Sequence, residues 1–268
     1  MKDSIENILL ISSHDHGILR LTLNDLDNKN ALSELMMQKL KKAISEASKD
    51  NSVKVVVIAS TGDVFCSGHN LKEINEARKA NDGGESYYLE LFKSCSSLMQ
   101  LIVNCSKPVI AEVNGIATAA GCQLVASCDL AISSHSAKFA TPGVNIGLFC
   151  STPMVALSRN VSKKDSMKML LTGEMINADE AKRISLINDF VPEKELTKSV
   201  MELAEKISKK SASIVSIGKE AFYKQSELNL FDAYEYTSKV MTENTLNENA
   251  KEGIDAFLEK RDPNWKDV

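Results

Sequence analysis

The stretch that most constrains the fold is residues 107–132, KPVIAEVNGIATAAGCQLVASCDLAI. Its first part, Pro108 through Val113, is a β-branched run with proline at its first residue, where a missing N–H is tolerated, and this predicts a strand. Asn114-Gly115 breaks it. The small residues from Ile116 to Cys122 then lead into Gln123, Leu124, Val125 and Ala126, which predicts an apolar helix with hardly a charge. Such a helix has to be buried. A buried helix whose first turn lacks bulk either packs tightly on a sheet or lets a ligand approach its free N–H groups. Those groups carry partial positive charge and suit an oxyanion. The second use needs a partner elsewhere in the chain.

Residues 53–59, VKVVVIA, supply one. They are nearly all apolar, as a strand covered on both faces should be. A loop over 60–68 ends in the small residues Cys66, Ser67 and Gly68, and a helix begins near Leu71. The logic repeats that of 107–132. One backbone N–H from each turn, converging on a carbonyl oxygen, would stabilise negative charge there.

The remaining pattern fills in around these two units. Runs 8–12 and 18–23 predict a hairpin, with His14 and His16 as solvent-facing turn residues. Ser33 caps a predicted helix over 33–48 with Met36, Leu40, Ala43, Ile44 and Ala47 inward. Another spans 88–103 with Leu91, Cys95, Leu98 and Ile102 as its inner stripe. Strands are expected at 129–133 and 138–140, then a glycine-containing loop over 141–149, with Ser151 capping a helix to about 159. Asn177 opens a further helix, and 186–191 reads as the last strand. From 193 onward the pattern is helical: 193–210, 212–225, 230–245 and 248–260. Alternating strand and helix, then helices alone, predicts one α/β core over 1–195 with a helical region over 196–268, the two forming a single structural unit.

With 268 residues, 43% of them hydrophobic, the chain can bury a substantial core. A net charge of −4 argues against nucleic acid as a partner. Six cysteines without CxxC spacing suit reduced thiols and no metal. Neither a leader nor an apolar run long enough for a membrane span is visible, so a cytoplasmic protein is expected, or a mitochondrial matrix one if a transit peptide is missing.

Four stretches, taken in order, resemble the crotonase (enoyl-CoA hydratase/isomerase) superfamily: Lys29 to Leu32, Phe65 to Lys72, the 107–129 segment, and Leu171 to Glu174 followed by Ala178 to Ala181. The resemblance implies a ClpP/crotonase-like α/β spiral of β-β-α repeats with an all-helical C-terminal trimerisation region. It implies acyl-CoA as ligand, with coenzyme A part of the substrate rather than a resident cofactor, and homotrimers or dimers of trimers. It puts the oxyanion donors on the backbone N–H groups of His69 and Ala120. Coenzyme A would run along Lys29, Asn30 and Ala31 and along Gly68, His69, Asn70, Leu71 and Lys72, with Phe257 and Lys260 at its nucleotide end. The ring of His69 serves as a lid, as packing or as a base.

The chain also departs from that pattern. Hydratases of the family use two glutamates around one water, and these positions hold Gln123 and Gly143. An amide does not take a proton near neutral pH, and glycine has no side chain, so two-carboxylate hydration cannot run here. General acid–base catalysis is worth roughly 10²–10⁴-fold, and a single oxyanion donor roughly 10²–10³-fold. Polar groups nearby are Asn145, Cys150 and Ser151; some relatives carry a working aspartate where Ser151 stands. Ser151 serves equally as a helix cap, and Cys150 as a small buried hydrophobe. Glu112, a charge inside an apolar strand, is expected at an edge or subunit interface with solvent or an arginine as partner. Two readings follow: an enzyme of the lyase or isomerase kind working through a thioester enolate, or an acyl-CoA-binding protein with weak or no catalysis.

Overall fold

The computed structural model describes residues 10–266. Strands β1 (Leu10–Asp15) and β2 (Ile18–Leu23) pair antiparallel through a two-residue turn, His16-Gly17, both at positive φ (48° and 79°). Such a turn matches the twist of the strands it joins. His14 therefore lies in the strand and not in the turn; residues 8 and 9 of the expected first strand fall outside the described residues. Helix α1 (Glu34–Lys49) starts at Ser33, whose hydroxyl accepts from the Met36 N–H, as the cap pattern predicts.

Three units of one design follow. The first is β3 (Val55–Ser60), β4 (Val64–Cys66), then α2 (Leu71–Ala77) and α3 (Glu85–Val103). The second is β5 (Val109–Val113), β6 (Ile116–Thr118) and α4 (Ala120–Ser127). The third is β7 (Leu130–Ser134), β8 (Lys138–Ala140), a 3₁₀ turn over Pro142–Ile146 and α5 (Pro153–Asn160). In each unit the first strand joins a six-stranded sheet and the second a four-stranded sheet, so the chain winds as the expected β-β-α spiral. With β9 (Ile176–Asn177) and β10 (Asp189–Val191), the large sheet is ordered β1-β2-β3-β5-β7-β10 and the small one β4-β6-β8-β9. Helix α6 (Lys163–Thr172), β9 (Ile176–Asn177), α7 (Ala178–Arg183) and β10 (Asp189–Val191) close the two sheets.

Several expectations need correcting. The loop predicted over 60–68 contains β4, and the small-residue run after Asn114 contains β6. Three-residue strands are too short to show an alternation in sequence. Helix α6 was not foreseen, although Ser162 caps it by accepting from the Asp165 N–H. The last strand is shorter than predicted, because Leu186 and Ile187 are buried in the turn before it. Helix α5 begins at Pro153 after Thr152; the Ser151 hydroxyl turns instead to the Phe149 carbonyl at 3.4 Å and caps nothing.

The continuous apolar run of β3 has a direct cause. Val56 and Ile58 face the main core, between the sheets and α1, α3 and α4, while Val55 and Val57 face the other side. That side is covered by α8 (Leu196–Ser208) through Leu196, Val200 and Ala204. Glu112 sits mid-sheet on β5, not at an edge. It is 4% exposed, its carboxylate is 2.6 Å from Arg20 Nη2, and it accepts from Thr197 Oγ1 at 2.8 Å. The arginine partner was expected; the central position is possible because two nitrogens of Arg20 and the Thr197 hydroxyl together satisfy the buried charge.

Beyond α8 come α9 (Ala212–Gln225), α10 (Leu230–Thr245) and α11 (Glu248–Glu259). Lys219 docks α9 onto the core. Its Nζ donates to the carbonyls of Ile102 and Lys107, both at 3.0 Å, and to Asp129 Oδ2 at 2.6 Å. Tyr223 donates to the other oxygen of Asp129 at 2.8 Å. The outer helices leave Phe231, Tyr234, Leu246 and Phe257 between 69% and 83% exposed.

Candidate active site

The first half of the site is the turn between β4 and α2. Gly68 has φ +96°, a conformation that L side chains rarely adopt. Main-chain bonds hold the turn against the 29–32 loop: Leu32 N–H donates to Gly68 O at 2.8 Å and Ser67 N–H to Lys29 O at 3.2 Å. Asn70 then caps α2, accepting from the Lys72 N–H at 3.0 Å.

The second half is the turn between β6 and α4. Ala119 has φ 51° and ψ −118°, a strained conformation for a residue with a Cβ, and Ala120 is the first residue of the helix. Ala119 N–H donates to Ala140 O at 3.0 Å, and Thr118 Oγ1 donates to Ser67 O at 3.1 Å, tying this turn to the next unit and to the first turn. The halves touch. A Cβ placed on Gly68 would lie 2.9 Å from Ala119 Cβ and 3.4 Å from Ala120 N, so glycine is required for the approach. One residue on, a Cβ at Gly121 would meet the Cys66 carbonyl oxygen at 2.1 Å. The N–H groups of His69 and Ala120 have no acceptor among the described residues.

Around these donors the titratable groups are few. His69 Nδ1 lies 3.4 Å from Leu32 O, its ring packs edge-on to Phe92 at 5.6 Å, and Nε2 is buried without a partner. Burial holds its pKa below the ordinary value, with the Leu32 carbonyl opposing, so the ring is neutral near pH 7. Gln123 is 4% exposed; its Oε1 accepts weakly from Cys95 Sγ at 3.7 Å, and its amide nitrogen makes no hydrogen bond among the described residues. Gly143 is buried, and a Cβ there would meet Leu148 O at 2.7 Å and Cys150 Sγ at 2.9 Å. The space where a side chain at 143 would start is filled. Burial pushes the Cys66, Cys95 and Cys122 thiols up to about 12 and raises that of Cys150, where the Gly143 N–H works against the rise.

Other predicted residues are spread more widely. Asn145 is exposed, and its amide reaches Gly173 O at 3.5 Å, bracing the loop against the end of α6. Asn30 is 1% exposed and its side chain is fully engaged: Oδ1 accepts from the Asp25 N–H, and Nδ2 donates to Thr61 O and Val64 O. It shapes the loop with its own φ of 52° and leaves Lys29, exposed at φ 54°, to meet solvent. Ala31 is likewise buried. Lys72 is exposed, and Leu71 beside it is 55% exposed. Phe257 and Lys260 lie on and just after α11; no hydrogen bond or ion pair among the described residues joins them to the 29–31 or 69–72 segments.

The family description Enoyl-CoA hydratase/isomerase matches residues 13–268. The chain belongs to the enoyl-CoA hydratase/isomerase family. It is 47% identical to the Xenopus laevis protein named enoyl-CoA hydratase domain-containing protein 3, mitochondrial, across 96% of this chain and 86% of that one. It is 31% identical to the 2,3-dehydroadipyl-CoA hydratase of Escherichia coli K12, across 96% and 98%. The crystal structure of human enoyl Coenzyme A hydratase domain-containing protein 3 superposes with TM-score 0.91 at 46% identity, covering 96% of this chain and all of that one. An enoyl-CoA hydratase from Bacillus anthracis superposes with TM-score 0.90 at 25% identity, over 97% of this chain. The fold is therefore the crotonase fold of this family.

Three features of the site escaped the sequence. The positive-φ residue of the second turn is Ala119, one before the predicted donor Ala120. Thr141, 1% exposed, has a buried hydroxyl with no partner, directly after the strand that accepts from Ala119. Glu73, on α2, takes hydrogen bonds from Asn70 Nδ2 and Tyr87 OH, and burial raises its pKa. Only Glu73 carried a signal, as an acid in the first turn of a helix that Asn70 caps.

Proposed function

We propose that this chain binds an acyl-CoA thioester and stabilises its enolate with the backbone N–H groups of His69 and Ala120, without the two-carboxylate hydration route. The observation that carries this is the pair of acceptor-free N–H groups in two turns that Gly68 brings into contact. Donors fixed by main-chain bonds need no reorganisation when charge develops on the thioester oxygen. Gln123 and Gly143 remove the groups that would move water's protons, and the crowding at Gly143 leaves no room for a side chain at that position. That crowding favours the second reading, an acyl-CoA-binding protein with little turnover.

Coenzyme A is the proposed carrier of the acyl group. Lys29 and Lys72, exposed on either side of the knitted loops, suit its phosphates as point charges. Asn30 and Ala31 contribute by holding that loop. Phe257 and Lys260 reach a coenzyme A only if the assembly brings α11 to it. A homotrimer or dimer of trimers is proposed, because the C-terminal helices leave large aromatic and aliphatic side chains uncovered. The relatives' names set a mitochondrial compartment against the cytoplasmic one.

Thermal-shift titration tests the reading. A ligand that binds only the folded chain raises the midpoint by mass action. Butyryl-CoA should raise it more than free coenzyme A, because the thioester oxygen engages the two N–H groups. No shift with either ligand would overturn the proposal.

A further inference from the structure

Resting on the acyl-CoA reading above, we propose that Cys150 is the group that exchanges a proton with C2 of the bound thioester, taking over the corner of the site from which the carboxylate at residue 143 is missing. Its sulfur lies 2.9 Å from where a Cβ on Gly143 would be, so the thiol fills the start of the absent side chain. The loop that carries it is fixed on both sides: Leu148 N–H donates to Gly143 O at 2.9 Å, and Met154 N–H to Cys150 O at 2.9 Å. The same loop leaves β8 where Ala140 O accepts from the Ala119 N–H, one residue before the Ala120 donor. Cys122, in the first turn of α4 with Ala120, feels the Cys150 thiol as an electrostatic neighbour.

Two further buried side chains, on the helix that starts at Ala120 and just after β8, have polar atoms without a partner among the described residues. Gln123 is 4% exposed and lies one turn along α4 from Ala120, with an amide nitrogen that makes no hydrogen bond among the described residues. Thr141 is 1% exposed, and its hydroxyl is an orphan. Buried polar groups are normally partnered, and Thr141 stands two residues before Gly143, at the start of the segment that leads to the thiol. Cys66, Cys95 and Cys122 are each at most 1% exposed, whereas Cys150 is 7% exposed, so it is the most open of the four thiols here.

The step balances without any other reactant. The thiolate of Cys150 takes the proton from C2 of the acyl group; the C–H electron pair becomes the enolate, whose oxygen the two N–H groups hold. The S–H proton exchanges with solvent, and a solvent-derived proton returns to C2. In D₂O the product is a thioester deuterated at C2 and otherwise unchanged. Because burial raises the thiol's pKa, the rate should climb with pH above neutrality.

The test is deuterium uptake by butyryl-CoA in D₂O, read by mass spectrometry, for the whole chain, for Cys150→Ser and for Cys105→Ser, with the butyryl-CoA thermal shift measured for each. The expected result is exchange well above buffer that Cys150→Ser lowers by about 100-fold or more, with loss of the rise with pH and an unchanged thermal shift. Cys105→Ser should exchange as the unmodified chain does. A normal thermal shift with no exchange, or exchange that survives Cys150→Ser, overturns the role of Cys150 and leaves the acyl-CoA reading standing. No thermal shift in the unmodified chain overturns both.

Discussion

The two halves of the site are made of different material. In the half around Gly68 and Ala119, the donors are main-chain groups, and the bonds that place them come from Leu32, Ser67 and Ala119, also main chain. In the half around Gln123 and Gly143, the work would fall to side chains, and neither residue present takes a proton. Leu148 O and Cys150 Sγ have closed over Gly143. A function carried by backbone N–H groups persists wherever the fold persists, whatever side chains line it. A function carried by side chains has to be read residue by residue. Membership of the family thus supports binding and enolate stabilisation here far better than it supports hydration.

That contrast can be broken most forcefully at Gly121. A Cβ there meets the Cys66 carbonyl at 2.1 Å, and backbone cannot step aside as a flexible side chain would. Gly121→Ala should cost about 3 kcal/mol, at the upper end of overpacking losses, measured by urea denaturation. It should also weaken butyryl-CoA binding, because the two turns are forced apart.

Gly143→Glu probes the other half. Restoring a carboxylate by substitution alone should fail: its Cβ would lie 2.7 Å from Leu148 O, so we expect a loss of about 1–3 kcal/mol and no hydration of crotonyl-CoA. Rapid hydration by this variant would show that the loop is more pliant than its bonds suggest.

The histidine next to the first donor supplies a pH signature. Burial lowers its folded pKa below 6.5, so between that folded value and 6.5 the unfolded chain binds more protons. Stability should therefore fall as pH drops through 6.5 and level off below the folded pKa. His69→Gln should flatten this part of the stability-against-pH curve, and an unchanged slope would mean that the ring is not held neutral.

The smallest effect is expected at Ala119. Glycine relieves the positive φ but gains freedom in the unfolded chain, so Ala119→Gly should shift stability by no more than about 1 kcal/mol, toward greater stability. Calorimetry would resolve the sign.

How much of this was legible in the sequence depended on the length of the signal. Helix α1 and strand β3 declared themselves, one by a capped amphipathic stripe and the other by a run rich in valine and isoleucine, buried on both faces. Strands β4 and β6 did not, because three residues carry no period. The two turns of the candidate site were legible as strand, small residues and helix, yet their contact was not, since it depends on Gly68 meeting Ala119, 51 positions further along the chain. Asn30 was read as a ligand contact, and its side chain also braces its loop through three hydrogen bonds that the sequence does not show. That residues 123 and 143 are Gln and Gly was plain from the sequence; that the space at Gly143 is filled was not.

The central claim is that the donors work and the carboxylates do not, and one absorbance experiment addresses it. Crotonyl-CoA mixed with an excess of the chain should show its enone band moved to longer wavelength, as two N–H groups polarise the carbonyl, and the band should then persist, with hydration at least about 100-fold slower than the Bacillus anthracis enoyl-CoA hydratase run beside it. Disappearance of the band at a rate matching that hydratase, or a band that never moves, would contradict the account.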